Sequence, residues 1–128
     1  MALSKVNPNF VEQTPYGRRN LIINGDMTVA QRGTSSTGTG YQTVDRFAVN
    51  QSNFDNLVST KTQDTNVPVG FSKSLKLATT TAETALAADE YGNMSYAIEA
   101  QDLQSLAYGT SSAKSFTLSF YVKSNLDR

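Results

Sequence analysis

The side chains of this 128-residue chain that are able to do chemistry are carboxylates, hydroxyls, tyrosines and arginines. Histidine and cysteine are both absent. That removes the commonest general base, the commonest metal ligands and all disulfide or thiolate chemistry. Serine is plentiful but has no imidazole to activate it as a nucleophile. Glycoside cleavage needs two carboxylates at a set separation in a cleft, and the 11 acidic residues are scattered, with no pair marked out by its context. The expectation is a protein that is not an enzyme and needs no cofactor.

Binding chemistry has more to work with. Calcium takes several oxygen ligands, and Asp26, Asp45 and Glu99 fall beside turns or at strand ends. The preferred reading is the plainer one, in which Asp26 caps a turn and Asp45 pairs with an arginine, so Asp26 and Asp45 are weak metal candidates. A sugar is gripped by an aromatic face flanked by amides and hydroxyls. Tyr41, Tyr91 and Tyr121 are the candidate glycan contacts, the first two in or beside loops and the third on the outward face of a strand. Tyr96 and Tyr108 are further members of the same set, although a tyrosine serves equally as a core or interface anchor. Arg18, Arg19, Arg32 and Arg46 each flank an apolar run. Arginine is enriched at interfaces, so these four, with Phe10 and Tyr16, are the candidate residues for attachment to a partner or between subunits. The competing reading makes the arginines ordinary surface charges.

Composition bounds the partners. Formal net charge is +0, charged residues make up 17%, and the basic ones are dispersed. A nucleic-acid binder would carry a basic patch. No segment is long and apolar enough to insert in a membrane as a helix. The first residues lack the apolar run of a signal peptide, so the chain is expected to be made in a cytoplasm and not exported by the general secretory route. Abundant Thr, Ser, Asn, Gln and Gly favour strands joined by turns. Partial disorder is the competing reading, and the strand periodicity argues against it.

The elements that must position these residues follow from that periodicity. Residues 1–17 show no period and are punctuated by Pro8 and Pro15, which predicts an extended arm that orders by docking. Residues 21–23 and 27–30 are short apolar runs on either side of Asn24–Gly25, predicting two strands about a tight turn. Residues 33–40 are a Gly, Ser and Thr loop; no Gly-Lys-Ser/Thr follows, so it is not a phosphate-binding loop. Residues 44–49, 56–61, 74–78 and 94–99 alternate as strands. Residues 101–108 suit a short helix, with Leu103 and Leu106 near neighbours on one face. The clearest strand is the last: Phe116, Leu118, Phe120 and Val122 on one face, Thr117, Ser119, Tyr121 and Lys123 on the other. So apolar a strand needs partners on both sides, so the natural polypeptide is expected to continue beyond Arg128, the alternative being an edge strand. The core expected from these patterns is Leu21, Ile23, Phe47, Leu75, Leu77, Ile98, Phe116, Leu118 and Phe120.

Two stretches carry a resemblance. Residues 17–33, GRRNLIINGDMTVAQRG, followed by Tyr41, Val44, Asp45, Arg46 and Phe47, resemble a recurring opening of phage and prophage tail-fibre and appendage proteins. Residues 113–124, AKSFTLSFYVKS, resemble a strand of the jelly-roll carbohydrate-binding modules, which also open with an Asn-Leu-x-x-Asn-Gly strand and turn like that of residues 20–25. The chain departs from those modules in two ways. Met27 and Thr28 stand where they often carry an acid for a structural calcium, and tryptophan is absent.

The resemblance implies an all-β protein: an antiparallel β-sandwich of jelly-roll type over residues 18–128, behind an attachment arm over residues 1–17. It implies a phage virion subunit that attaches through its N-terminal part and supports recognition of the host surface. Its implied partners are a tail adaptor or other fibre subunits, a homotrimer, and a host-surface glycan. The rivals are a carbohydrate-binding module of a bacterial glycan-acting protein and a capsid decoration protein.

Overall fold

The computed structural model describes residues 20–125. The predicted arm, residues 1–17, and with it Phe10, Tyr16, Arg18 and Arg19, lies outside the described residues. Five strands run in the order β1 (Ser35–Ser36), β2 (Phe47–Ser52), β3 (Val58–Asp64), β4 (Ser74–Thr81) and β5 (Tyr91–Tyr96), followed by a 3-10 helix, Ala100–Leu106. They form two antiparallel sheets, one of three strands in the order β1-β3-β4 and one of two, β2-β5. The chain is thus mostly β with one short helix.

Strand alternation puts side chains on defined faces. In β2 and β5 the register sets Phe47 opposite Tyr96 and Val49 opposite Met94. The aromatic rings of Phe47 and Tyr96 meet at 5.2 Å. The buried apolar residues are Val44, Phe47, Ala48 and Val49, so the core sits on β2 and the residues that lead into it. Gly40 extends this sheet by an isolated bridge to Val49, with hydrogen bonds of 2.8 and 3.1 Å. Its φ of 81° is a left-handed conformation that a side chain would strain.

β3 shows the opposite of a conventional core face. Ser59 and Lys61, on one face, are buried, and Gln63 beyond them is half-buried. Their cross-strand partners are Thr79, Leu77 and Leu75. Leu75 is half-buried, but Leu77, expected in the core, is 49% exposed, because it lies on β4 at the outer edge of the sheet, where no further strand among the described residues covers it.

Three other expectations are corrected. Residues 21–23 and 27–30 are not strands; residues 22–26 form bends and turns, and Met27 N donates to Asn24 O at 2.9 Å. Asn24 and Met27 both adopt left-handed φ, 60° and 58°, which breaks a ladder. Ile23 is consequently 50% exposed, with Leu21 half-buried. The expected strand over residues 116–122 forms no ladder, and Phe116, Leu118 and Phe120 are 63%, 65% and 75% exposed rather than buried. A strand is stabilised through neighbours, and among the described residues this one has none. The short helix expected at 101–108 is a 3-10 helix that begins one residue earlier and ends two earlier, stopped where Ala107 turns left-handed at φ 50°. Ile98 is half-buried.

Candidate functional site

The polar residues of the opening stretch converge on the start of β2. The Asn24 side chain is the hub. Its Nδ2 donates to Val29 O (3.0 Å) and Asp45 O (2.9 Å), and its Oδ1 accepts from Val29 N (2.9 Å). Backbone Asp45 N donates to Val29 O at 2.9 Å. The tight turn therefore ties the first described segment to the residues just before β2. The sequence marks a turn here, but of the Asn-Gly pair only Asn24 takes positive φ, with Met27 as the second left-handed residue, and nothing in the sequence marks the side-chain clamp.

Asp45 and Arg46 extend the junction in two directions. Asp45 pairs with Arg32 at 3.5 Å and accepts from Gln31 N at 3.2 Å. Arg46, at φ 75°, reaches across to the segment after β5. Its Nη1 donates to Glu99 Oε1 at 2.6 Å, and its guanidinium lies 5.7 Å from the centre of the Tyr96 ring. That hydrogen bond raises the arginine above its ordinary range and lowers the Glu99 carboxyl below its own. Tyr96 in turn accepts from Ile23 N at 2.8 Å, and Glu99 accepts from Gln101 Nε2 at 2.8 Å. The far guanidinium nitrogen, Nη2, is buried and has no hydrogen-bond partner among the described residues. Arg32 and Arg46, expected at a subunit interface, are thus engaged within the chain: 59% and 32% of their side chains remain exposed.

Asp26 accepts from Thr28 Oγ1 at 3.3 Å, within the turn. Asp26 and Asp45 do not belong to any cluster of three or more potential metal ligands among the described residues. Their geometry is that of turn and ion-pair carboxylates.

The three candidate glycan tyrosines do not form one platform. Tyr41, 46% exposed, follows the bridge at Gly40. Tyr121, 75% exposed, stands edge-on to Phe71 at 5.5 Å. Tyr91, 53% exposed, starts β5 opposite Ser52. Strand alternation gives Tyr91 the richest company, since Asn93, Ser95, Asn50 and Ser52 share its face of the sheet. Asn50 Nδ2 donates to Asn93 Oδ1 at 3.2 Å.

One feature the sequence did not flag is Lys61. It is 1% exposed, and its ammonium donates to Thr37 O (3.1 Å), Gln51 Oε1 (2.9 Å) and Ser59 O (3.2 Å). Ser59 Oγ shares the same Gln51 acceptor at 2.7 Å, so this cluster joins β3 to β2. All three acceptors are neutral, and burial lowers the lysine's pKa. A lysine among threonines on a strand reads as a solvent face, so no sequence signal marks it.

The cluster of Asn24, Arg32, Asp45, Arg46 and Glu99 contains no nucleophile–base pair. What it does is fix residues 24–32 to the residues just before β2, and Arg46 to the segment just after β5. In comparisons with known proteins the chain matches no family model, no curated protein and no solved structure.

Proposed function

We propose that this chain is a non-catalytic assembly subunit of a bacteriophage tail fibre or similar virion appendage, built on a jelly-roll-type β-sandwich and serving recognition of the host surface. The observation that carries the reading is the mutual engagement of the residues through which the sequence resembles such proteins. Asn24 ties Val29 to Asp45, Arg32 pairs with Asp45, and the adjoining Arg46 pairs with Glu99, so these residues meet at one junction. A motif of that kind sets the geometry at which an N-terminal segment leaves the domain. Phe10, Tyr16, Arg18 and Arg19, upstream of the junction, are then the residues that meet a tail adaptor or another fibre subunit. The test is made on phage particles that carry the gene. An antibody to the chain should decorate their tail appendages, and deleting residues 1–17 should abolish incorporation while the remaining domain still folds. Particles that incorporate the truncated chain normally overturn the attachment role, and unlabelled particles made with the full chain overturn the appendage reading.

A second reading, a carbohydrate-binding module, is favoured by the face that collects Tyr91, Asn93, Ser95, Asn50 and Ser52. A ring flanked by amides and hydroxyls suits a neutral sugar. Glycan-array binding that is lost in Tyr91→Ala with the fold unchanged would support it. Equal binding by Tyr91→Ala would place the glycan elsewhere.

A further inference from the structure

Asn24–Gly25 is the only Asn-Gly pair in the chain, and Asn24 is the hub of the junction before β2. The pair has a chemistry of its own. The backbone N of the residue that follows an asparagine can attack the side-chain Cγ and close a five-membered imide. A glycine there has no Cβ to hinder the approach, and asparagine belongs to the thermolabile residues for this reason.

The folded junction opposes that reaction. Asn24 Nδ2 donates to Val29 O (3.0 Å) and Asp45 O (2.9 Å), and Oδ1 accepts from Val29 N (2.9 Å). Imide closure makes Cγ tetrahedral and turns Nδ2 into a leaving group that takes up a proton. Neither change is compatible with a planar amide held at both ends, so the three hydrogen bonds must break first. Asn24 and Gly25 are half-buried, and the flanking Ile23 and Asp26 are exposed. Water therefore reaches the turn once the junction opens.

We infer that Asn24 is a self-modification site gated by the junction, and that its loss of ammonia unlocks the junction irreversibly. The Gly25 N gives up its proton and bonds to Asn24 Cγ. The Cγ–Nδ2 bond breaks, and ammonia carries the proton away. Water then opens the imide: addition at Cγ leaves aspartate, and addition at the backbone carbonyl of residue 24 leaves isoaspartate, with the chain running through Cγ. Nothing is oxidised or reduced, and water is the only co-reactant. Either product carries an acceptor-only carboxylate where the amide donated to Val29 O and Asp45 O. Those two carbonyls lose their donor and face another oxygen, which the surviving bond from Val29 N has to oppose alone. Isoaspartate also adds a methylene to the main chain of the turn. The closed junction thus protects Asn24, each opening exposes it, and each completed reaction keeps the junction open. This latch goes beyond the appendage reading and does not depend on it.

The test incubates the full chain in mildly alkaline buffer, which speeds loss of the Gly25 amide proton, and maps residue 24 by peptide mass spectrometry with isoaspartate detection. The folded chain should convert at Asn24 at least about tenfold more slowly than the same chain in urea, because only the locally open fraction reacts. Equal rates in the two states overturn the gate, and an Asn24 that stays intact in urea overturns the site. Unlocking is read separately, by hydrogen exchange at the amides of Val29 and Asp45, which donate within the junction. Asn24→Asp keeps the size of the side chain and tolerates the φ of 60°, so it isolates the loss of the amide donors. Both amides should exchange at least about tenfold faster in this variant, with those of β2 and β5 unchanged. Wild-type chain that is folded first and then aged supplies the same readout without refolding. Retained protection at Val29 and Asp45 in the converted chain overturns the latch. None of these results bears on whether the chain is incorporated in particles, so the two proposals fail separately.

Discussion

Lys61 is a charged residue buried among neutral groups, and that burial has a cost. An ammonium taken out of water loses hydration that three neutral oxygens only partly replace. Its ordinary pKa of 10.5 is lowered by burial in the folded chain. Below that lowered value both folded and unfolded chains hold the proton, and the full burial penalty applies. Between the folded value and 10.5 the unfolded chain binds more protons, so stability rises with pH. Urea unfolding of the wild type and Lys61→Met, from neutral pH to about 10.5, should show the wild type gaining relative to the variant. A constant difference across that range would mean that the ammonium is solvated in the folded state. Asn24 is the second residue on which much depends. Alanine there removes three hydrogen bonds and strains a φ of 60°, and should cost about 2–4 kcal/mol. Thermal or urea unfolding of Asn24→Ala checks this, with Asn24→Gly restoring only the backbone share.

At the scale of elements, the two ends of the sequence pattern behave differently. Val49 on β2 is 4% exposed and Leu118 is 65% exposed. Val49→Ala should destabilise by roughly 1.5–3 kcal/mol, two methyl groups plus the cavity they leave. Leu118→Ala should cost less than about 1 kcal/mol in the single chain, since little of that side chain leaves water. Chemical denaturation of the two variants ranks them. Equal losses would put residues 115–122 in the core after all. Strands expected at 44–49, 56–61, 74–78 and 94–99 form at 47–52, 58–64, 74–81 and 91–96: alternation and turn residues act locally and mark a strand's existence, whereas pairing sets its bounds and makes β1 out of Ser35–Ser36, which read as loop. The final stretch alternates as cleanly, yet alternation states only that a face wants cover, not where the cover comes from. The opening misled for the reverse reason: residues 21–23 are apolar enough for a strand, but the Asn24 side chain takes the backbone groups at 29 and 45 and holds a turn instead. Arg46 shows the same limit at the candidate site. Its charge was visible in the sequence, but its partner, Glu99, is 53 residues away and is brought near by the pairing of β2 with β5.

For the molecule as a whole, burial is concentrated and exposure is wide. Among the described residues, Val44, Phe47, Ala48 and Val49 form the buried apolar set, whereas large apolar or aromatic side chains are exposed on β4, β5 and residues 116–122. A core of that size contributes modestly, because stabilisation scales with apolar area removed from water. The same distribution sets how the chain answers denaturant, because the slope of unfolding against urea scales with the surface newly exposed. Large apolar side chains on β4, β5 and residues 116–122 are already exposed in the folded chain and add little to that surface. The urea slope should therefore fall toward the low end of the roughly 1–3 kcal/mol per molar span of small proteins. Equilibrium urea unfolding followed by circular dichroism measures it, and a slope at the upper end of that span would show that these side chains are covered in solution.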